Sequence, residues 1–250
     1  MGCGNLRHWL ALLLPCSLAA NDAMEFWSEE YFSQAREYVS EGELDQAVSL
    51  LNFLLEKEPF HAGGYFWRGL AYYRLGEWPT AAADFTQTIT LEGQAGLATY
   101  YRGLIFMERK AWVAAEDDLQ EAIRRRPTDA APRNALGCLR LSRGELNAAL
   151  QEFDTAQHQA PDCADIYLNR ARTLEALGDL PGAYLDFTTA LALEPDDAEL
   201  WFLRGRLLEK LGYPTRAARD IEHYERLGPR QNPLRAKLLA ELSVRRGGRA

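Results

Sequence analysis

Histidine and cysteine are scarce in this chain, four of each among 250 residues, and neither kind is clustered. His8, His61, His158 and His223 fall in separate segments. No CxxC occurs and no two histidines stand four apart, so no metal site or nucleophile–base pair assembles from near neighbours. A glycine-rich phosphate loop between strand and helix is missing too. The paired carboxylates Asp117-Asp118 and Asp196-Asp197 read as solvated helix faces or loops. The ordinary signatures of an enzyme are therefore absent, and neither cofactor nor metal is expected. A disulfide scaffold is excluded on placement. Cys138 falls mid-helix and Cys163 in a loop, farther apart than the ~7 Å between Cα atoms that a bridge tolerates. Two free thiols are expected.

No apolar run is long enough to cross a bilayer. The N-terminal stretch from Trp9 to Ala20 has twelve residues, against the ~20 that a spanning helix needs. Arg7 and His8 before it and Ser17-Leu18-Ala19 behind it fit a secretory leader cleaved after Ala19. Residues 1–21 are accordingly read as a signal peptide or membrane-targeting segment. Pro15 and Cys16 interrupt the run. Leu13-Leu14-Pro15-Cys16 approaches a lipobox but places proline before the cysteine. Met1-Gly2-Cys3 approaches a dual-acylation start but has Leu6 where serine or threonine belongs. The expected location is exported, periplasmic or membrane-associated, with membrane association through this segment. The alternative is a cytoplasmic protein whose N-terminus packs on the fold as an extra helix.

Positive charge is also in deficit. The chain carries 28 basic and 36 acidic residues, a net −8. Setting aside residues 1–21 (net +1) and 232–250 (net +4) leaves about −13 on the body. Such a surface repels phosphate backbones, so a nucleic-acid partner is not expected.

What the chain has in abundance is repetition. A period of 34 residues holds six times without an insertion, over 28–61, 62–95, 96–129, 130–163, 164–197 and 198–231. Proline closes five units (Pro59, Pro127, Pro161, Pro195, Pro229); Gly93 stands in the second. The eighth position is small (Ala35, Gly69, Gly103, Gly137, Ala171, Gly205) and the twentieth is always alanine (Ala47 through Ala217). Small residues at a fixed point on two helices let their backbones approach where they cross. The twenty-fourth is bulky: Leu51, Phe85, Leu119, Phe153, Phe187, Ile221. The fourth is aromatic in four units, with Thr99 and Arg133 departing. Glycine at position fifteen ends a helix in five units, with Lys110 as the exception. Pro79, Pro181 and Pro214 then fit the first turn of a second helix. Each unit is two antiparallel helices that bury their apolar faces by stacking on neighbours.

These residues resemble the tetratricopeptide repeat family over about residues 28 to 231. The resemblance implies an all-α, right-handed superhelical solenoid of antiparallel helix pairs, with the first helix of each pair lining a concave groove. Asn232-Pro233 and Leu234, Leu238, Leu239 and Leu242 on one face predict a capping helix, and residues 232–250 are assigned to that helix and a basic tail.

One constellation has support inside the sequence. Arginine at position seven (Arg68, Arg102, Arg170, Arg204) coincides with aspartate at position twenty-three (Asp84, Asp118, Asp186, Asp220). The other two units lack both, with Leu136 and Glu152 in one and Gln34 and Leu50 in the other. An ion pair joining the two helices of a hairpin is expected.

Positions two, five, nine and twelve of the first helix share a face and are expected to line the groove. They supply Phe32, Arg36, Phe66, Leu70, Tyr73, Tyr100, Leu104, Met107, Asn134, Leu141 and Arg172. The aromatic and apolar part lies in units one to three. Chaperone-tail binding in this family needs a lysine, asparagine and arginine set at fixed positions. The first three units offer Phe32, Arg36, Trp67, Leu97 and Tyr101 there, and the last three fail at Glu199 and Leu203. The expected function is a non-enzymatic protein-interaction scaffold for a peptide or partner helix, in the cell envelope or secretory route. A cytosolic adaptor or co-chaperone and a self-associating structural solenoid are the alternatives.

Overall fold

The computed structural model describes residues 20–93 and 95–228. Among them are twelve α-helices and no strand. The chain divides between Arg126 and Pro127 into two compact units. The first holds α1 (Ala20–Glu41), α2 (Leu44–Lys57), α3 (Ala62–Leu75), α4 (Trp78–Thr90), α5 (Ala95–Glu108) and α6 (Trp112–Arg125). The second holds α7 (Ala130–Ser142), α8 (Leu146–Gln159), α9 (Ala164–Leu177), α10 (Leu180–Leu193), α11 (Ala198–Lys210) and α12 (Pro214–Leu227). Consecutive helices pair into six hairpins, α1 with α2 through α11 with α12. The leader expected over 1–21 lies outside the described residues apart from Ala20 and Asn21, and the capping helix expected over 232–250 lies outside them entirely. No described helix is long and apolar enough to cross a membrane.

Local chemistry sets the helix ends. Gly42, Gly76, Gly144, Gly178 and Gly212 stop the first helices at φ between +77° and +89°. Glycine takes that left-handed conformation without a Cβ penalty. Lys110 occupies the same point at φ +57°, so the turn geometry persists where the glycine is missing. Pro79 and Pro181 enter α4 and α10 in the first turn, where the absent N–H has no helical acceptor to lose. Asp129, Asp179 and Asp197 cap α7, α10 and α11 by accepting from Ala131, Gly182 and Glu199 backbone N–H groups. At the close of the second repeat Gly93 replaces proline, and Glu92 turns to φ +55°. Before Pro59, Pro127, Pro161 and Pro195 the residues Glu58, Arg126, Ala160 and Glu194 leave the helical region, with φ between −137° and −125° and ψ between +67° and +78°, because a following proline disfavours it.

The core follows the repeat. Ala47, Ala81, Ala115, Ala149, Ala183 and Ala217 are at most 1% exposed, and Leu51, Phe85, Leu119, Phe153 and Phe187 are fully buried. Ile221 departs from the pattern and is only half-buried. Burying one such large side chain contributes about 1.5–3 kcal/mol. The glycines at position eight sit directly under these residues. A Cβ on Gly137 would stand 2.5 Å from the Phe153 ring.

Candidate functional site

The arginines at position seven form a repeated two-point contact. In Arg68–Asp84, Arg102–Asp118, Arg170–Asp186 and Arg204–Asp220, Nε donates to one carboxylate oxygen and Nη2 to the other, at 2.7–2.9 Å. Every aspartate is buried. The bond to aspartate is the main reason the Arg68, Arg102 and Arg170 pKa values rise above the ordinary arginine value, against the opposing effect of burial.

The third nitrogen was not foreseen from the sequence. Nη1 donates backward to position twenty-five of the preceding repeat. Its acceptor is Asn52 for Arg68 (2.7 Å), Thr86 for Arg102 (3.1 Å), Asp154 for Arg170 (2.9 Å) and Thr188 for Arg204 (3.4 Å). One guanidinium therefore ties its own hairpin together and clasps it to the hairpin before. The signal was present as a constant spacing of sixteen residues on either side of the arginine. It was hidden because position twenty-five changes side chain while keeping an oxygen acceptor.

The fourth repeat solves the same problem with other residues. Leu136 is fully in the core, and Glu152 instead receives Arg133 at 3.3 Å and Arg140 at 3.0 Å. The longer glutamate reaches arginines two helical turns apart. This explains why Arg133 stands where aromatic residues stand elsewhere. Two of those aromatics have a task of their own. The Tyr167 hydroxyl donates to the Pro161 carbonyl at 2.9 Å and the Trp201 indole N–H to the Pro195 carbonyl at 2.8 Å.

The first-helix face differs between the two units. In the first, Phe32, Leu70, Tyr73, Tyr100, Leu104 and Met107 are half-buried, and Arg36 is exposed. Trp67 and Tyr101 at position six share this face, although the periodic reading had passed over them. Position six lies three residues before nine, so it borders the same stripe. Tyr101 stacks on Phe85 at 5.6 Å and meets Tyr73 edge-on at 5.5 Å. Burial, then Glu108, pushes the Tyr73 pKa up. Phe66 departs from the expectation of a groove-lining residue. It is 3% exposed and packed with Ala81, Phe85, Ala98 and Ile105, so it backs the face rather than forming it. The reason is geometric: the rings of Trp67, Phe85 and Tyr101 pack against it at 5.8, 6.0 and 6.2 Å.

In the second unit Leu168 and Phe202 at position five of the corresponding face are half-buried too, but polar side chains interrupt it. Asn169 donates to Asn134 at 3.1 Å. Arg172 pairs with Glu199 at 2.7 Å, and Glu175 receives Arg206 at 3.3 Å and also Lys210. Leu141 and Cys138 are half-buried. Burial pushes the Cys138 thiol up to about 11, against a smaller opposing effect of Arg172. Cys138 and Cys163 are both unbonded. Among the described residues no group of histidine, cysteine, aspartate and glutamate is placed to hold a metal ion.

The sequence profile of the tetratricopeptide repeat matches residues 32–90, 71–130, 134–187 and 183–232. No curated protein sequence matches the chain significantly. Among solved structures, Pseudomonas aeruginosa pilF is similar at 18% identity over 88% of this chain and 99% of that one, with a TM-score of 0.75. A chain of the APC/C hetero-tetramer Cut9-Hcn1 is similar at 15% identity over 85% of this chain, with a TM-score of 0.75; this chain spans only 42% of its length. YrrB, described as having an unusual peptide-binding site, is similar at 23% identity over 71% of this chain and 95% of that one, with a TM-score of 0.56. At these identities the likeness is one of fold. The helix hairpins, the small-and-bulky register of their crossings and the profile matches together place the chain in the tetratricopeptide repeat family.

Proposed function

We propose that this protein is a non-catalytic adaptor that takes an apolar peptide or a partner helix on the first-helix face of repeats one to three. The observation that carries this reading is the run of half-exposed apolar and aromatic side chains across three successive first helices, α1, α3 and α5. Contiguous exposed apolar surface marks a binding site far more often than scattered apolar residues do, and an amphipathic segment laid into such a face is a common recognition mode. The peptide-binding site described for YrrB supports the same reading by analogy of fold.

The leader expected over residues 1–21 supports a place in the envelope or secretory route. An intact-mass measurement on the protein from its native cells tests that part. A chain beginning near Ala20, or lipidated at Cys3 or Cys16, supports export; an unmodified N-terminus overturns it in favour of a cytosolic adaptor.

Affinity purification from those cells tests the binding face. The tagged protein is compared with Leu70→Asp/Leu104→Asp, and with Val113→Asp on the second helix of the third hairpin, where Val113 is 75% exposed. A partner retained by the wild type and by Val113→Asp but lost from the double variant supports the face. A partner retained equally by all three overturns it.

A further inference from the structure

Position nine of the first helix is arginine in the first, fifth and sixth repeats (Arg36, Arg172, Arg206), and its environment differs between them. Arg172 meets Glu199 at position two of the next repeat, and Arg206 meets Glu175. For Arg36 the position equivalent to Glu199 is Gly63, which has no side chain. Among the described residues Arg36 has no carboxylate partner. Its guanidinium lies instead over two rings, 5.7 Å from the centroid of Phe32 and 5.3 Å from that of Trp67. Arg74, seven residues beyond Trp67 on α3, donates to the carbonyl of Val39 on α1, so a second guanidinium lies along the seam between these two helices. It too has no carboxylate partner among the described residues.

The chain has 36 acidic residues against 28 basic. Acid is in excess, and the position-seven arginines and the position-nine arginines of the second unit are all bonded to it. At the seam of α1 and α3 the sequence instead provides glycine, and the two cations border the apolar face of Leu70 and Tyr73. Stacking on aromatic rings holds Arg36 in place while leaving its N–H edge open. Such a fork is shaped to receive a carboxylate from outside.

Resting on the reading of this face given above, we infer that the partner segment is acidic as well as apolar. A carboxylate of the partner, from an aspartate, a glutamate or a free C-terminus, pairs with Arg36. An aliphatic or aromatic side chain next to it packs on Leu70 and Tyr73. Arg74 adds a second positive charge along the seam and favours segments with more than one acid. The excess of acid over the rest of the chain then repels acidic segments held in any other register.

A phage-displayed random dodecapeptide library, panned on the full chain, tests the inference. The probes are the selected peptides, measured by fluorescence polarisation against wild type, Arg36→Gln, Arg36→Glu and Leu70→Asp, each with its helical content checked by circular dichroism. The expected selection places aspartate, glutamate or the free C-terminus within one or two residues of a large apolar side chain. Its affinity should fall about tenfold or more in Arg36→Gln, and rising salt should weaken it in the wild type more than in that variant. Arg36→Glu should enrich lysine or arginine at the same point. Apolar peptides without acidic preference, or peptides that bind Arg36→Gln within twofold of wild type, overturn the inference while leaving the apolar face as the site. Peptides indifferent to Leu70→Asp, or no enrichment at all, overturn the reading of the face itself.

Discussion

Arg170 and Asp186, sixteen residues apart on the two helices of one hairpin, meet through both nitrogens of the guanidinium edge at 2.7 Å each. The remaining nitrogen reaches Asp154 and Gln157 of the preceding hairpin, both at 2.9 Å. Asp186 is 6% exposed in its side chain and Arg170 19%. Removing the arginine leaves a buried carboxylate without a counter-charge, so Arg170→Ala should destabilise the protein by about 3–5 kcal/mol. Arg170→Lys keeps the charge but cannot make both contacts and the backward bond together, and should cost about 1–2 kcal/mol. Urea unfolding of these two variants, of Asp186→Ala and of Arg170→Ala/Asp186→Ala measures this. Strict additivity of the single changes would contradict the pairing.

Gly137 and Phe153 test the close approach of two helices. A methyl at Gly137 would lie 2.5 Å from a ring atom of Phe153, which is fully buried. Gly137→Ala should therefore lower stability by about 1–2 kcal/mol, overpacking outweighing the gain in helix propensity. At Gly103 the equivalent methyl stands 3.1 Å from Leu119. There a shift of a few tenths of an ångström suffices, and Gly103→Ala should change stability by less than about 0.5 kcal/mol. Equal melting-temperature shifts for the two variants would contradict this account.

Lys110 holds φ +57° where the neighbouring repeats have glycine. A side chain in the left-handed region is penalised by about 1 kcal/mol. Lys110→Gly should stabilise the third hairpin by up to about 1 kcal/mol, less the entropy that glycine adds to the unfolded chain. A fall in melting temperature would show that Lys110 makes a compensating contact.

These three cases also show how far the sequence could be read. The repeat, the crossings at positions eight, twenty and twenty-four, and the Arg–Asp pairs were legible because each is a fixed spacing enforced by helix geometry. The backward bond to Asn52, Thr86, Asp154 and Thr188 was not, because chemically different side chains supply the same oxygen. Phe66 was misread as a lining residue because periodicity identifies a face but not its depth, and three neighbouring rings enclose it. The pairing of Glu152 with Arg133 and Arg140 was hidden for a further reason: its arginines stand at positions four and eleven, where no other repeat carries an arginine.

Burial holds the Cys138 thiol protonated, at about 11 against an ordinary 9.0. The unfolded chain loses this proton first, so the folded state is favoured below pH 9 and the contribution is lost as pH rises from about 9 to 11. The difference in stability between wild type and Cys138→Ala should shrink over that interval, by up to about 2 kcal/mol. At pH 8, alkylation of Cys138 by iodoacetamide should lag well behind that of a free cysteine peptide. Labelling at the free-peptide rate would contradict the burial of the thiol.

The proposed function turns on the first-helix face of the first unit as the surface that takes the partner. Photo-crosslinking with p-benzoylphenylalanine in the native cells tests it most directly, with the probe placed once at Leu104 and once at Val113. A discrete crosslinked partner is expected from Leu104, suppressed by Arg36→Glu, and none from Val113. A partner captured from Val113 and absent from Leu104 would contradict it.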